Sequence, residues 1–285
     1  MNDIICPKHI IAKQVADSLL EDLRGYPDWT ANLIPEDSIV TAEIKTKEDM
    51  VVCGINWATE AFIICEPNVK LTWYVSDGDN VPTGTVLCTI TGLARGILTA
   101  ERTALNFLQT LSATATTVSK YVALINDTKV KIMDTRKTIP GLRLAQKYAV
   151  TVGGGYNQRV GLYDGVLIKE NHIMACGGIK QALDKAISTT PKHIPIQIEV
   201  ETLIQLEEAI QFGAKLILLD NMSLEQIEQC VEITSGKVEL EVSGNVNLDN
   251  VRDYALTGVD RISIGALTKN IQSIDLSLRV IDNYI

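Results

Sequence analysis

The sequence predicts a two-domain α/β protein, in which an N-terminal α+β sandwich domain precedes an open, incomplete α/β barrel. Three observations support this fold class. A helical pattern and then several strand-like runs fill the first third of the chain. From residue 129 onward, short apolar β-rich runs alternate with amphipathic helices. The ends of the last four runs lie about 20 residues apart, which is typical of compact βα units.

The N-terminal domain is expected at residues 1–107. Apolar residues recur at helical spacing over residues 10–23, and a second helix is expected near residues 56–64. Runs of strands with helices to one side indicate an α+β unit. The predicted strands of this domain are residues 38–45, 50–54, 69–75 and 85–91.

The barrel is expected at residues 108–269, and a long helix over residues 97–125 is expected to bridge the two domains. Its runs are apolar on both faces, as in a parallel sheet covered by helices. The predicted barrel strands are residues 130–134, 165–169, 195–200, 216–220, 238–242 and 261–264, and later helices begin near residues 178, 203, 224 and 248. The amphipathic tail, residues 270–285, is expected to return to the first domain.

Composition and charge exclude several classes of protein. The chain has 285 residues and a net charge of −9, which argues against binding nucleic acid or an anionic membrane through its overall field. It has no apolar stretch near the roughly 20 residues that a membrane helix needs. The six cysteines form no C-x-x-C pair and the three histidines are scattered. Reduced thiols and a cytoplasmic location are therefore expected.

The residues that follow the predicted barrel strands suggest a shared site. Barrel enzymes place their reactive groups at the C-terminal ends of the strands. In this chain six strands in turn end in polar or glycine-rich groups, which are Thr135-Arg136-Lys137, Lys169 to His172, Glu199, Asp220-Asn221, Ser243-Gly244-Asn245 and Ile264-Gly265-Ala266.

Cations are concentrated on one side of this expected site. Residues 129–170 contain eight Lys or Arg against three Asp or Glu in an otherwise acidic chain. One interpretation is a pocket for a small polyanion, formed by Arg136, Lys137, Arg159 and Lys169. The alternative is a solvated basic face, which suits Lys129, Lys131 and Lys147.

Acidic groups end the neighbouring strands. Glu199 and Asp220 suit a hydrated Mg²⁺ that is also held by substrate phosphates, or they stabilise a developing positive charge. They also suit ion pairs with the basic residues across the barrel. Glu201 points the same way as Glu199 in strand alternation. The last two strand ends, at residues 243–245 and 264–266, are typical phosphate-binding loops in barrels.

Ordered motifs over nearly the whole chain resemble those of the quinolinate phosphoribosyltransferases, also called carboxylating nicotinate-nucleotide pyrophosphorylases. The matching segments are residues 101–106, 134–138, 140–143, 147–150, 153–155, 167–172, 219–221, 241–245 and 264–269. The resemblance implies de novo NAD biosynthesis: transfer of a phosphoribosyl group from phosphoribosyl pyrophosphate to quinolinate, with Mg²⁺, giving nicotinate mononucleotide, pyrophosphate and CO₂. It also implies homodimers or higher multiples, such as hexamers.

The resemblance also assigns roles to residues. Arg102 is implied to reach the partner subunit's active site. Arg136, Lys137, Arg159 and Lys169 match residues that hold quinolinate and the phosphates, with Thr135 beside them. Glu199 and Asp220 match acidic groups near the ribose and metal, and Lys137 and Lys169 are expected to take part in catalysis with them. The phosphate-binding ends are matched by Ser243, Gly244, Asn245, Ile264, Gly265 and Ala266.

One departure from the family pattern concerns the dicarboxylate. The family usually has Asn-His-Arg where this chain has Asn157-Gln158-Arg159. Gln158 is expected to bind substrate, donating a hydrogen bond without carrying charge. Two other functions stay open on the residues alone. Lys169 at a strand end suits a Schiff-base aldolase, and the same scaffold suits a non-catalytic binding protein.

Overall fold

The computed structural model describes residues 6–284; residues 1–5 and Ile285, at the ends of the predicted N-terminal domain and tail, lie outside the described part. The helices are α1 (Lys8–Leu23), α2 (Ile55–Cys65), α3 (Ala94–Leu124), α4 (Arg143–Val152), α5 (Glu170–Cys176), α6 (Ile179–Thr189), α7 (Leu203–Gln211), α8 (Leu224–Thr234), α9 (Val251–Leu256) and α10 (Ala266–Lys269). The strands are β1 (Ile39–Thr46), β2 (Met50–Val51), β3 (Lys70–Trp73), β4 (Asn80–Val81), β5 (Val86–Leu93), β6 (Lys131–Met133), β7 (Val166–Ile168), β8 (Ile196–Val200), β9 (Leu216–Asp220), β10 (Glu239–Ser243), β11 (Arg261–Ser263) and β12 (Leu276–Tyr284).

The chain forms two compact units that interleave along the sequence. The first contains the residues up to Ser119, residues 138–154 and the residues from Thr268 onward, and the second contains residues 120–137 and 155–267. The domain boundary expected from the sequence divides the chain once, between residues 107 and 108. That boundary stays a prediction.

The first unit is built on a four-stranded antiparallel sheet in the order β12-β1-β5-β3. The tail forms β12, which runs antiparallel to β1 from Leu276 opposite Thr46 to Tyr284 opposite Ile39. Apolar side chains of α2 and α3, such as Trp57, Phe62 and Leu108, are fully buried in the core of this unit. This unit is the α+β arrangement that the strand-rich pattern predicts.

The second unit contains six parallel strands in the order β6-β11-β10-β9-β8-β7. Each of β7 to β10 is followed by a helix before the next strand, so the chain alternates as a βα barrel does. Among the described residues β6 and β7 do not pair, and the sheet therefore stays open on that side. The predicted fold class, an α+β domain with an open α/β barrel, is confirmed.

The register of the parallel strands decides which side chains share the inner face. Paired residues on neighbouring strands point to the same side of a sheet. Glu199 is paired with Leu218, which is paired with Glu241, and Glu241 is paired with Arg261. In the same way Asp220 is paired with Ser243 and Ser263. The alternate residues, Ile198, Ile217, Leu219, Val242 and Ile262, are buried on the opposite face.

Two expectations from the sequence are wrong in detail. Lys147 does not belong to a solvated basic face, because it lies on the buried side of α4 with 0% exposure. The helix expected near residue 248 begins at Val251, because the Asn247 side chain accepts hydrogen bonds from the backbone N–H groups of Asp249 and Asn250 and forms a turn there.

All six cysteines are free thiols, and Cys176 is exposed. Within residues 6–284, none of the helices combines the length and the apolar character needed to span a bilayer.

Candidate active site

A cavity of about 530 Å³ opens beside β7 in the second unit. This volume is in the range of small-molecule sites. Four Lys or Arg side chains and one histidine line it, and no Asp or Glu is among the described residues of the lining. The basic lining residues are Arg136, Arg159, Lys169, His172 and Lys185.

The two guanidinium groups lie close enough to repel each other. Burial lowers the pKa of Arg159, and the charge of Arg136 lowers it further, whereas Asp164 acts in the opposite direction. Arg159 Nη1 donates to the carbonyl of Gly165 at 3.0 Å. Arg136 Nε is buried and has no hydrogen-bond partner among the described residues. Such an arrangement favours a bound anion, which supplies the missing acceptors and relieves the repulsion.

Local contacts hold the loop that carries Arg159. Asp134, at the end of β6, accepts hydrogen bonds from the Gln158 backbone N–H at 2.8 Å and from Asn157 Nδ2 at 2.6 Å. Asp164 accepts the backbone N–H groups of Val160 and Gly161 and closes the following turn. Residues 157–161 of this loop are therefore held by two carboxylates, one buried and one half-buried.

Lys169 connects the basic cavity with the acidic strand ends. Its Nζ lies 3.5 Å from Glu199 Oε2, and Glu199 is only 8% exposed. Burial raises the pKa of Glu199, the Lys169 charge lowers it, and the Asp220 charge raises it again. His172 Nδ1 accepts the Lys169 backbone N–H at 3.0 Å, which fixes the first turn of α5. Glu199 and Asp220 therefore form an acidic pair beside a cation.

The loop after β6 packs against the loop after β11. The Thr135 Oγ1 atom accepts the Lys137 backbone N–H at 3.0 Å. A Cβ atom at Gly265 would lie 2.9 Å from Lys137 Cδ and 3.7 Å from Thr135 Oγ1, so the glycine allows this close approach. Ile264 is buried, and its backbone N–H donates to the Met133 carbonyl.

The loops after β9 and β10 meet in an unusual backbone conformation. Asn221, Gly244 and Asn245 all have positive φ, at 53°, 106° and 54°. The Asn221 backbone N–H donates to the Ser243 carbonyl. A Cβ atom at Gly244 would lie 2.4 Å from Asn221 Oδ1, so this position requires glycine both for its conformation and for its space.

The structure brings some of the predicted site residues together and separates others. Arg136, Arg159 and Lys169 line one cavity, whereas Lys137 lies against Gly265 and is not part of that lining. Gln158 is also absent from the lining, and its amide points to Gln197 and Glu241. Arg102 is exposed on α3, in the first unit. The functional roles of these residues stay predictions.

Lys185 was not predicted to belong to the site. It lies on α6 with Ala182, Ala186 and Thr189 on the face that lines the cavity. The spacing i, i+3, i+4, i+7 of these residues is a helical stripe. In the sequence, only the two small alanine side chains near Lys185 indicate that this face of α6 borders a cavity. That signal is weak.

Family models match both parts of the chain. The model described as "Quinolinate phosphoribosyl transferase, N-terminal domain" matches residues 28–112, and the corresponding C-terminal domain model matches residues 114–279.

Similar proteins cover nearly the full length of the chain. A probable nicotinate-nucleotide pyrophosphorylase [carboxylating] of Bacillus subtilis is 40% identical, over 92% of this chain and 90% of that protein. The corresponding protein of Mycobacterium leprae is also 40% identical, over 92% and 94%. The solved structure of the nicotinate-nucleotide pyrophosphorylase from Francisella tularensis is 46% identical and has a TM-score of 0.94, over 98% of this chain and 99% of that one.

The Gly244 position gives a test of the loop geometry with a matched control. Gly236 also has a positive φ, 72°, but a Cβ atom there would meet nothing within 4 Å. We expect Gly236→Ala to lower the free energy of unfolding by about 1 kcal/mol. Gly244→Ala should lower it by on the order of 3 kcal/mol, because Asn221 must also move. Urea unfolding of the two variants measures the difference, and equal losses would contradict the close approach to Asn221.

Proposed function

The chain belongs to the quinolinate phosphoribosyltransferase family, and from this membership we propose that it transfers the phosphoribosyl group of phosphoribosyl pyrophosphate to quinolinate. The products are nicotinate mononucleotide, pyrophosphate and CO₂. The observation that carries the proposal is the cavity lined by Arg136, Arg159, Lys169 and Lys185 without an acidic residue among its described lining. Quinolinate is a dicarboxylate, and bidentate guanidinium groups suit its two negative charges.

Each substrate has its own group of binding residues. Arg136, Arg159 and Lys169 bind the quinolinate carboxylates. Thr135, Lys137 and the loops at residues 243–245 and 264–266 bind the phosphates of the ribose donor. Lys137 packs against Gly265, which supports a common phosphate site for the loops after β6 and β11.

The reaction needs charge stabilisation more than a nucleophile from the protein. The pyridine nitrogen attacks C1 of the ribose while the C1–O bond to pyrophosphate breaks, so the ribose passes through an oxocarbenium-like state. Glu199 and Asp220 stabilise that transient positive charge. The nitrogen then carries a positive charge, which stabilises the carbanion that the breaking C–CO₂ bond leaves on the adjacent ring carbon. A proton from solvent completes nicotinate mononucleotide.

Mg²⁺ is proposed as the cofactor, bound mainly through the pyrophosphate of the substrate. No group of three or more potential metal ligands occurs within residues 6–284. Two neighbouring carboxylates, Glu199 and Asp220, fit an ion that usually keeps one or two protein carboxylates beside substrate phosphates and water. When bound, Mg²⁺ neutralises charge on the leaving pyrophosphate.

The Schiff-base alternative is less well supported. Lys169 faces Glu199 at 3.5 Å as an ion-pair partner. That is the role of a cation, whereas an aldolase needs the lysine as an amine nucleophile.

The first test follows CO₂ release from quinolinate in the presence of phosphoribosyl pyrophosphate and Mg²⁺. Arg136→Ala should lower kcat/KM about 100-fold or more, on the order of 3 kcal/mol of transition-state stabilisation. Arg252→Ala is the control, because Arg252 forms an exposed ion pair with Asp127, and we expect its activity to stay within about twofold of wild type. Quinolinate binding by calorimetry without any turnover would instead identify a binding protein.

The second test concerns the metal. A chelator should abolish CO₂ release, and added Mg²⁺ should restore it. Asp220→Asn and Glu199→Gln should each raise the Mg²⁺ concentration needed for half-maximal rate, because each removes one negative charge from the acidic pair. Full activity in the chelator, with metal removal verified by elemental analysis, would contradict the proposed cofactor.

The active form is proposed to be a homodimer or a higher multiple in which Arg102 completes the site of the partner subunit. The third test mixes inactive variants. An Arg102→Ala chain and a Lys169→Ala chain should regain about one quarter of wild-type activity after subunit exchange, because half of the dimers are mixed and each has one intact site.

The control pair is Arg136→Ala mixed with Lys169→Ala. Both side chains line the same cavity of one chain, so no mixed dimer of these variants has an intact site. Equal recovery from both mixtures, or recovery from neither, would show that Arg102 does not act across subunits.

A further inference from the structure

A buried polar cluster lies on the inner face of the parallel sheet. Its members are Glu241 on β10, Gln197 on β8 and Gln158 in the loop before β7. The Glu241 side chain is 0% exposed and that of Gln197 is 4% exposed. Buried polar groups are costly unless they are hydrogen-bonded, so their partners show what the cluster does.

The hydrogen bonds close a triangle around the Gln158 amide. Gln158 Nε2 donates to Gln197 Oε1 at 3.1 Å and to Glu241 Oε2 through a short contact. Gln197 Nε2 donates to the same Glu241 oxygen at 3.1 Å. A primary amide has two N–H donors. Both donors of Gln158 are therefore directed to the barrel interior.

The other side of Gln158 connects to the basic cavity. Gln158 Oε1 accepts the backbone N–H of Arg159 at 3.2 Å, and the Gln158 backbone N–H donates to Asp134. Arg159 then lines the cavity and donates to the Gly165 carbonyl. A continuous set of contacts thus joins a buried carboxylate to a guanidinium that lines the cavity.

We propose that Glu241 is a positioning residue: it fixes the Gln158 amide, and Gln158 fixes the backbone that presents Arg159 to quinolinate. This inference rests on the proposed function and assigns Gln158 a supporting role in place of direct contact with the dicarboxylate. Glu241 touches no substrate. This role requires that the Glu241 side chain accept hydrogen bonds from two N–H groups. It does not require a negative charge on Glu241.

Kinetics of variants at position 241 test the proposal. Glu241→Leu removes the acceptor at similar size, and we expect the KM for quinolinate to rise about tenfold with kcat within about twofold, as for a loss of uniform binding. The KM for phosphoribosyl pyrophosphate should not change. Glu241→Gln keeps an acceptor oxygen for Gln158 and Gln197, and should behave as wild type.

Glu239→Gln is the matched control on the same strand. The Glu239 side chain forms an ion pair with Arg261, in which Oε2 lies 2.6 Å from Nη2. Its described hydrogen bonds are with Arg261. The loss of this ion pair should reduce stability without changing the KM for quinolinate. An equal KM change in Glu239→Gln and Glu241→Leu would mean that Glu241 acts only through the stability of the fold and does not position Arg159.

A double-mutant cycle distinguishes support from direct binding. Gln158→Met removes the amide, and its effect on the KM should equal that of Glu241→Leu. The double variant should be no worse than either single variant, because both changes break the same connection. If the two KM changes instead multiply in the double variant, Gln158 binds quinolinate independently of Glu241.

A crystal structure of the Glu241→Leu variant provides a readout that does not depend on activity. The bond from Arg159 Nη1 to the Gly165 carbonyl should be lost or lengthened. An unchanged Arg159 side chain would overturn the positioning role even if the variant had altered kinetics. No turnover by the wild-type chain would overturn the proposed function instead, and the position of Arg159 would still decide the role of Glu241.

Discussion

Mutual repulsion between Arg136 and Arg159 is the interaction on which the rest of the site depends. Two guanidinium groups share one cavity, and the lower pKa of Arg159 reflects both its burial and its like-charged neighbour. Folding does not favour such a pair by itself, because burying like charges costs free energy. The pair is stable here because the backbone around it is held by neutral and anionic acceptors, such as the Gly165 carbonyl and the Asp134 and Asp164 carboxylates. In the proposed function, a bound dicarboxylate would relieve this repulsion.

The parallel register explains why the acidic side chains share one face of the sheet. Asp220, Ser243 and Ser263 are paired residues at one level of the sheet, and Glu199 and Glu241 are paired through Leu218 at another. On β10 and β11 the inner face is therefore polar at both levels. Lys169 pairs with Glu199, so the cationic cavity and the acidic pair share one boundary. A reaction that binds two polyanions and develops positive charge on a ribose needs both signs at such a boundary.

The sequence predicts the strands well because the relevant signals are local. The barrel strands are short apolar runs that end in polar residues, and β9 begins and ends where the pattern predicts. Other features depend on contacts distant in sequence. The burial of Lys147 and the pairing of the tail with β1 follow from tertiary packing. For the site, strand-end chemistry predicts Arg136 and Lys169, which line the cavity, and Glu199, which lies beside Lys169. It does not predict Glu241, which lies below the strand end and binds a loop 83 residues away.

The glutamine at position 158 is best understood together with Glu241 and Gln197. A histidine, which the family pattern has at this position, is the side chain that changes charge near neutral pH. A charged ring beside the buried Glu241 would make the cluster depend on protonation, because each buried charge must be balanced by another. The amide of Gln158 supplies two donors at every pH, so Gln197 Oε1 and Glu241 Oε2 each accept a hydrogen bond without a net charge at that position. In the proposed arrangement the orientation of Arg159 thus depends on hydrogen-bond geometry, and the positive charge of the cavity comes from the arginines and lysines that line it.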